Sequence, residues 1–198
     1  MEIYTIEVGM NLTNSYIVND KKFSFLIDPG DDGERILSLI KDKELDIKSI
    51  VLTHGHFDHI GAVEFLKKEL KVELCIHKDD NIYLADKKKN LSYFKGIEIS
   101  LETADILLKE GDNIGGFRVL STPGHTPGGI SLYNQEEGIL FSGDLIFRNA
   151  YGRTDLPGGD QNILFSSLEK IIQLPAETLV YPGHGPTTTI GEFKKYIS

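Results

Sequence analysis

A lone cysteine, Cys75, leaves no partner for an intramolecular disulfide and no set of thiolates for a sulfur-rich metal site. It lies in the apolar run Val72 to Ile76, where a buried core thiol is expected rather than a nucleophile. Basic charge is also scarce: 21 Lys and Arg face 30 Asp and Glu, giving a net charge of −9. A surface of that sign repels phosphate backbones and anionic lipid, so neither nucleic acid nor a membrane is expected as a partner. The longest basic run, Lys87-Lys88-Lys89, reads as a solvated helix end. No apolar stretch approaches a membrane-spanning length, and Met1-Glu2-Ile3-Tyr4 does not open a secretory leader, so a soluble cytoplasmic protein is expected. A disorder signature is missing as well. With 40% hydrophobic and 26% charged residues, the 198-residue chain is expected to fold as one domain spanning 1–198.

Short β-type runs open the chain at Tyr4–Val8, Ser15–Val18 and Phe23–Ile27, the last two joined by a polar turn at Asn19–Lys22. Apolar residues at helical spacing predict helices over Asp32–Lys41 and Ile60–Leu70. Between these helices, Ile50-Val51-Leu52 is continuously apolar, as a strand buried on both faces should be. Strand Glu73–Ile76 and a helix near Asp79–Asp86 follow, then Gly-punctuated strands over Ile106–Phe141 and a helix over Ile163–Ile172. This order predicts an α/β fold in which two sheets pack together with helices outside, a four-layer αββα sandwich.

The chemistry concentrates after Ile50-Val51-Leu52, in Thr53-His54-Gly55-His56-Phe57-Asp58-His59. Imidazoles and a carboxylate so closely spaced, in a loop leaving a buried strand, are a nitrogen and oxygen donor set suited to zinc, iron or manganese. Three further candidates sit in tight turns after apolar runs: His125 in Thr122-Pro123-Gly124-His125-Thr126-Pro127-Gly128, Asp144 in Ser142-Gly143-Asp144, and His184 in Tyr181-Pro182-Gly183-His184-Gly185. Flanking Gly and Pro fix the backbone and remove bulk beside a ligand. The sixth histidine, His77, lacks such framing and is read as structural or surface. Asp28 and Thr53 are candidates to orient ligand histidines, although Asp28 before Pro29 reads equally as a turn former. Arg153 could meet a substrate carboxylate, or brace its Gly-rich loop by pairing with Asp155.

In this order, THGHFDH, TPGHTPG, FSGD and YPGHG resemble the successive ligand motifs of the metallo-β-lactamase superfamily over nearly the whole chain. Within it the sequence is most similar to short glyoxalase II-like hydrolases, which share a Gly-Arg-Thr-Asp loop like Gly152–Asp155. The resemblance implies that His54, His56 and His125 hold one divalent metal and Asp58, His59 and His184 a second, with Asp144 bridging. Zinc is favoured by base rate, and iron and manganese fit the same donors. A metal-bridging hydroxide would then attack an acyl thioester such as S-lactoylglutathione, with Asp58 orienting the water or accepting its proton.

Glyoxalase II enzymes carry a C-terminal helical region that supplies much of the glutathione grip. These 198 residues show no counterpart after His184, so those contacts are not carried over. The alternatives are a mononuclear iron persulfide dioxygenase, whose family has a similar Gly-Arg-Thr-Asp loop, and a lactonase using the same two-metal centre. In the dioxygenase family the last histidine sits in a Pro-Ala-His-Asp context, against Pro182-Gly183-His184-Gly185 here. Hydrolysis of a β-lactam ranks lower, since one class of those enzymes carries cysteine where this chain has Asp144.

Overall fold

The computed structural model describes residues 1–20 and 23–197. A first sheet contains β1 (Glu2–Val8), β2 (Thr13–Asn19), β3 (Ser24–Ile27), β4 (Ile47–Val51), β5 (Glu73–His77) and β6 (Ile106–Leu108), in that spatial order. Its first two pairings are antiparallel and the next three parallel. The second sheet begins with β7 (Asn113–Ile114), β8 (Phe117–Ser121), β9 (Ile130–Asn134) and β10 (Ile139–Gly143). A small ribbon of β11 (Ile146–Phe147) and β12 (Ala150–Tyr151) follows, and β13 (Leu179–Pro182) and β14 (Thr188–Thr189) return to complete the second sheet in the order β14-β13-β10-β9-β8-β7. The helices are α1 (Gly33–Asp42), α2 (Phe57–Ile60), α3 (Val63–Leu70), α4 (Asn81–Ala85), α5 (Gln161–Ile171) and α6 (Ile190–Ile197).

Strand alternation builds the layers, because successive side chains leave opposite faces of a sheet. Tyr16, Val18, Phe25, Ile27, Val51 and Cys75 point from the first sheet into a core shared with Val119, Leu132 and Phe141 of the second. Their neighbours Ile17, Leu26, Ile50 and Leu74 point the other way, onto Ile36, Ile40, Val63 and Leu66 of α1 and α3. Leu120, Tyr133 and Leu140 likewise leave the second sheet to meet Leu164, Leu168 and Phe193 of α5 and α6. The result is the αββα sandwich. Phe141 is 1% exposed and stacks near Tyr16 and Phe117, so truncation to alanine would cost about 3–5 kcal/mol.

Several boundaries differ from the sequence expectation. The predicted helix over Ile60–Leu70 starts later, as α3 at Val63, because the chain bends at Gly61-Ala62 after a separate short helix, α2, that ends at Ile60. Asp58 and His59 therefore lie in the first turn of α2 rather than in a plain loop. The final helix α6 was not expected: it is only eight residues long, and its buried Ile190 and Phe193 become a helical stripe only when packed on the second sheet. Of the expected Asn19–Lys22 turn, Lys21 and Lys22 lie outside the described residues. Among the described residues, no helix is long and apolar enough to cross a membrane.

Candidate metal centre

All the motif residues leave strand ends on one edge of the sandwich. Asp28 follows β3, the histidine run follows β4, and His125, Asp144 and His184 follow β8, β10 and β13. His54, His56 and His125 come together as one group of buried donors, and Asp58, His59 and His184 as another in which only His59 is fully buried, each with its donor atoms within 4.8 Å of one another. Asp144 faces both groups: its Oδ2 lies 3.6 Å from Nε2 of His125 and 3.6 Å from Nε2 of His184, and its Oδ1 3.4 Å from Nε2 of His59. A bulge in β10 between Phe141 and Gly143 aims it there. Gly143 has φ +50, and a Cβ in its place would come within 2.5 Å of the Thr53 hydroxyl. Gly183 also has to lack a side chain, since a Cβ there would stand 2.2 Å from Oδ1 of Asp144.

Each ring has a partner that sets its direction. Nδ1 of His59 meets Asp28 at 2.9 Å, Nδ1 of His54 meets the Thr53 hydroxyl at 3.2 Å, and Nδ1 of His125 donates to the Arg153 carbonyl at 2.7 Å. Nδ1 of His184 donates to the Asn11 carbonyl at 3.1 Å, while the Asn11 amide donates to Asp58 at 2.8 Å. Asp28 itself is 1% exposed and takes φ 47, a left-handed turn that swings its carboxylate toward Thr53 and His59.

Donor chemistry fits divalent cations. Nε2 of His54, Nε2 of His59 and Oδ1 of Asp144 are buried with no hydrogen-bond partner, and Nε2 of His125 faces Nδ1 of His56 at 3.0 Å. Buried polar atoms left unpaired are costly, and every imidazole nitrogen and carboxylate oxygen among them belongs to these donor groups, the others being Thr and Ser hydroxyls. Burial and the neighbouring imidazoles hold His54 well below the ordinary histidine range and bring His56 down to about 3. Both rings are therefore neutral at physiological pH, the form that binds a metal. Burial pushes His59 the same way, but Asp144 and Asp28 outweigh it and hold its protonation above the usual range.

The guanidinium of Arg153 forms a two-point pair with Asp155, at 2.7 and 2.6 Å, while lining the same cleft as His56 and Asp144. Of the two roles left open for it, loop bracing is the contact present. His77 is 6% exposed, beside Ser121 and Asp79 and away from the donor groups.

Sequence reasoning missed several residues that hold the site. Asp80 is fully buried, and its carboxylate accepts the N–H of Gly55, between His54 and His56, at 3.0 Å and that of Gly128, in the His125 turn, at 2.6 Å. Asn14 and Tyr16 donate to the Pro182 carbonyl at 3.0 and 2.6 Å, tying β2 to the His184 turn. The polar triplet Thr13-Asn14-Ser15, wholly buried inside a strand, was the available signal.

Fold and donor set are those of a protein built to hold divalent metal at the ends of two packed sheets. The chain belongs to the metallo-beta-lactamase superfamily, whose family pattern matches residues 8–184. It is 41% identical to the probable metallo-hydrolase YqgX of Bacillus subtilis, covering 92% of this chain and 90% of that one. It is 35% identical to the hydroxyacylglutathione hydrolase GloC of Haemophilus influenzae, covering 91% and 89%. Among solved structures it resembles the BLEG-1 B3 metallo-beta-lactamase, with TM-score 0.92, 41% identity and coverage of 96% and 95%. It also resembles TTHA1623 in a di-iron-bound form, with TM-score 0.91, 40% identity and coverage of 98% of each chain. ETHE1 from Myxococcus xanthus aligns at TM-score 0.80 and 29% identity, over 99% of this chain and 83% of that one.

Proposed function

We propose that the protein is a two-metal hydrolase of acyl thioesters. The observation that carries this reading is the position of Asp144, one carboxylate turned toward both donor groups. Similarity to a hydroxyacylglutathione hydrolase supports the thioester as substrate. In this reading His54, His56 and His125 would hold one ion and Asp58, His59 and His184 the other, with Asp144 available to both. Two such ions, zinc or iron, would supply hydroxide at neutral pH and an electrophilic place for the carbonyl oxygen.

The chain's own part is positioning. Asn11 fixes Asp58 from one side, leaving that carboxylate turned toward His184 at 3.5 Å, where it can orient a water or take its proton. Phe57, Leu91, Phe94, Leu156 and Pro157 wall a cleft of about 520 Å³ and limit solvent at the reacting carbonyl. A thiolate leaves without a strong proton donor because thiols are fairly acidic.

Similarity to ETHE1 gives the persulfide dioxygenase reading its footing. The deciding experiment assays metal-loaded protein in parallel for thioester, lactone and β-lactam hydrolysis and for persulfide-dependent oxygen consumption. Thioester turnover well above the other three is expected, whereas oxygen consumption without it would reassign the reaction.

A further inference from the structure

We propose that Lys95, with the turn that carries it, forms an anion subsite at the mouth of the metal cleft and takes a carboxylate on one arm of the substrate. The inference rests on the reading of the cleft as a thioester site. Lys95 lines the cleft together with His56, Asp58 and Asp144. Through Asn11, Phe57, Asp58 and Lys95 that cleft adjoins a second hollow of about 230 Å³, which runs between Met10, Asp31 and Ile97. A substrate arm leaving the donor groups on this side must pass the lysine.

Of the two cations that line the cleft, Lys95 and Arg153, only Lys95 is open to a ligand, and Lys88 and Lys89 on the same turn lie over the Tyr93 and Tyr83 rings outside it. Arg153 is taken up by Asp155 on two atoms, and Lys87 pairs with Glu98 at 2.7 Å. Lys95 makes no ion pair among the described residues, and its ammonium lies 5.8 Å from the centre of the Phe57 ring. Asp31 adds negative charge to the second hollow, and Asp58 and Asp144 do so at the donor groups, so a carboxylate is favoured at Lys95, between them.

The turn is held in place. Asn90 is fully buried: its carbonyl accepts the Phe57 N–H at 2.8 Å, its Oδ1 accepts the Ser92 N–H at 3.0 Å, and its Nδ2 donates to Ile99 at 3.0 Å. The segment is thus fastened to the metal loop one residue beyond His56. Leu91 is kept at φ 70, a strained conformation for a bulky side chain, at the point where the chain turns into the short 3-10 segment Ser92–Lys95. Next to it Tyr93 and Phe94 stand 58% and 65% exposed. Aromatic surface left open beside a cation that has no ion pair is a binding surface in composition, apolar for the stem of the arm and positive for its end.

The test titrates the metal-loaded full chain by calorimetry with S-hexylglutathione, a non-hydrolysable thioether bearing two carboxylates, and with its diethyl ester. The diacid should bind more tightly than the diester. That preference should fall about threefold in Lys95→Ala and about tenfold in Lys95→Glu, and persist in Lys95→Arg, the scale of one partly solvated charge pair. An unchanged preference in Lys95→Glu, or no binding of the diacid to the parent protein, overturns the proposal. Thioesters carrying the carboxylate on the thiol arm alone or on the acyl arm alone then identify the arm, as the one whose KM rises in Lys95→Glu. If no thioester is turned over, the hydrolase reading fails, and the binding preference still decides the case of Lys95.

Discussion

The carboxylate of Asp28 stands 2.9 Å from Nδ1 of His59 and also takes the backbone N–H and the hydroxyl of Thr53, at 2.7 and 2.5 Å. One buried acid thereby sets the direction of His59 directly, and that of His54 through the Thr53 hydroxyl. Asp28→Asn keeps the shape and removes the charge. We expect metal affinity to drop about tenfold to a hundredfold with circular dichroism unchanged; an unaltered affinity in metal titration would refute the orienting role.

Metal should act on stability as well as on activity. The unpartnered buried donors of His54, His59 and Asp144 gain their missing partners from a cation. At a free concentration about a thousandfold above Kd, a bound ion adds about 4 kcal/mol, a rise in Tm of about 10 °C in a chain of this size. Chelation should reverse it and abolish hydrolysis. A melting curve indifferent to zinc, iron and manganese would argue against a metal centre.

Asp144→Ala should lower bound metal from two ions per chain to one, measured by elemental analysis. Gly183→Ala should do the same without touching a donor, because its Cβ would occupy the space at Oδ1 of Asp144. Two ions retained in Asp144→Ala would remove the carboxylate from its bridging role.

Asp80→Asn turns an acceptor of two N–H groups into one that accepts one and confronts the other with its own N–H. The cost is about 1–3 kcal/mol. Burial already pushes the Asp80 carboxyl upward, against the donors that face it. Thermal denaturation should register the loss, and metal titration a weaker first site, since Gly55 and Gly128 flank its ligands; normal affinity in a destabilised variant would confine Asp80 to folding.

Hydrogen bonding and charge from Arg153 hold the Asp155 carboxyl down to about 2. A folded value below the unfolded one, near 3.9, means that the pair favours the folded loop above pH 4 and is lost as pH falls through 2. Carboxyl titration by NMR should give this low midpoint, moving up in Arg153→Ala. If Arg153 serves only the loop, KM stays constant in that variant; a rise in KM alone would assign it to the substrate.

The sandwich was legible because Tyr16–Val18, Phe25–Ile27 and Ile50–Leu52 are apolar without interruption, as strands must be when one face meets the second sheet and the other meets helices. The motif residues were legible for a different reason: imidazoles and carboxylates framed by Gly and Pro in loops serve few purposes besides holding a cation. What escaped was support by backbone contacts across long sequence distance. Asp80 looks like any residue before a helix, and Asn11 like any loop amide, until folding sets them against Gly55, Gly128 and His184. Helix α6 escaped because eight residues give too little periodicity without the sheet beneath them.

The turns that carry His54 and His184 belong to different sheets, and β13, which leads into the second, lies beside β10. During synthesis the first donors emerge long before the last, so the two donor groups cannot both assemble until His184 has left the ribosome. A chain ended before Asp144 would display His54, His56 and His59 without Asp144 or His184, and would offer proteases an unclosed edge in place of the assembled donor groups.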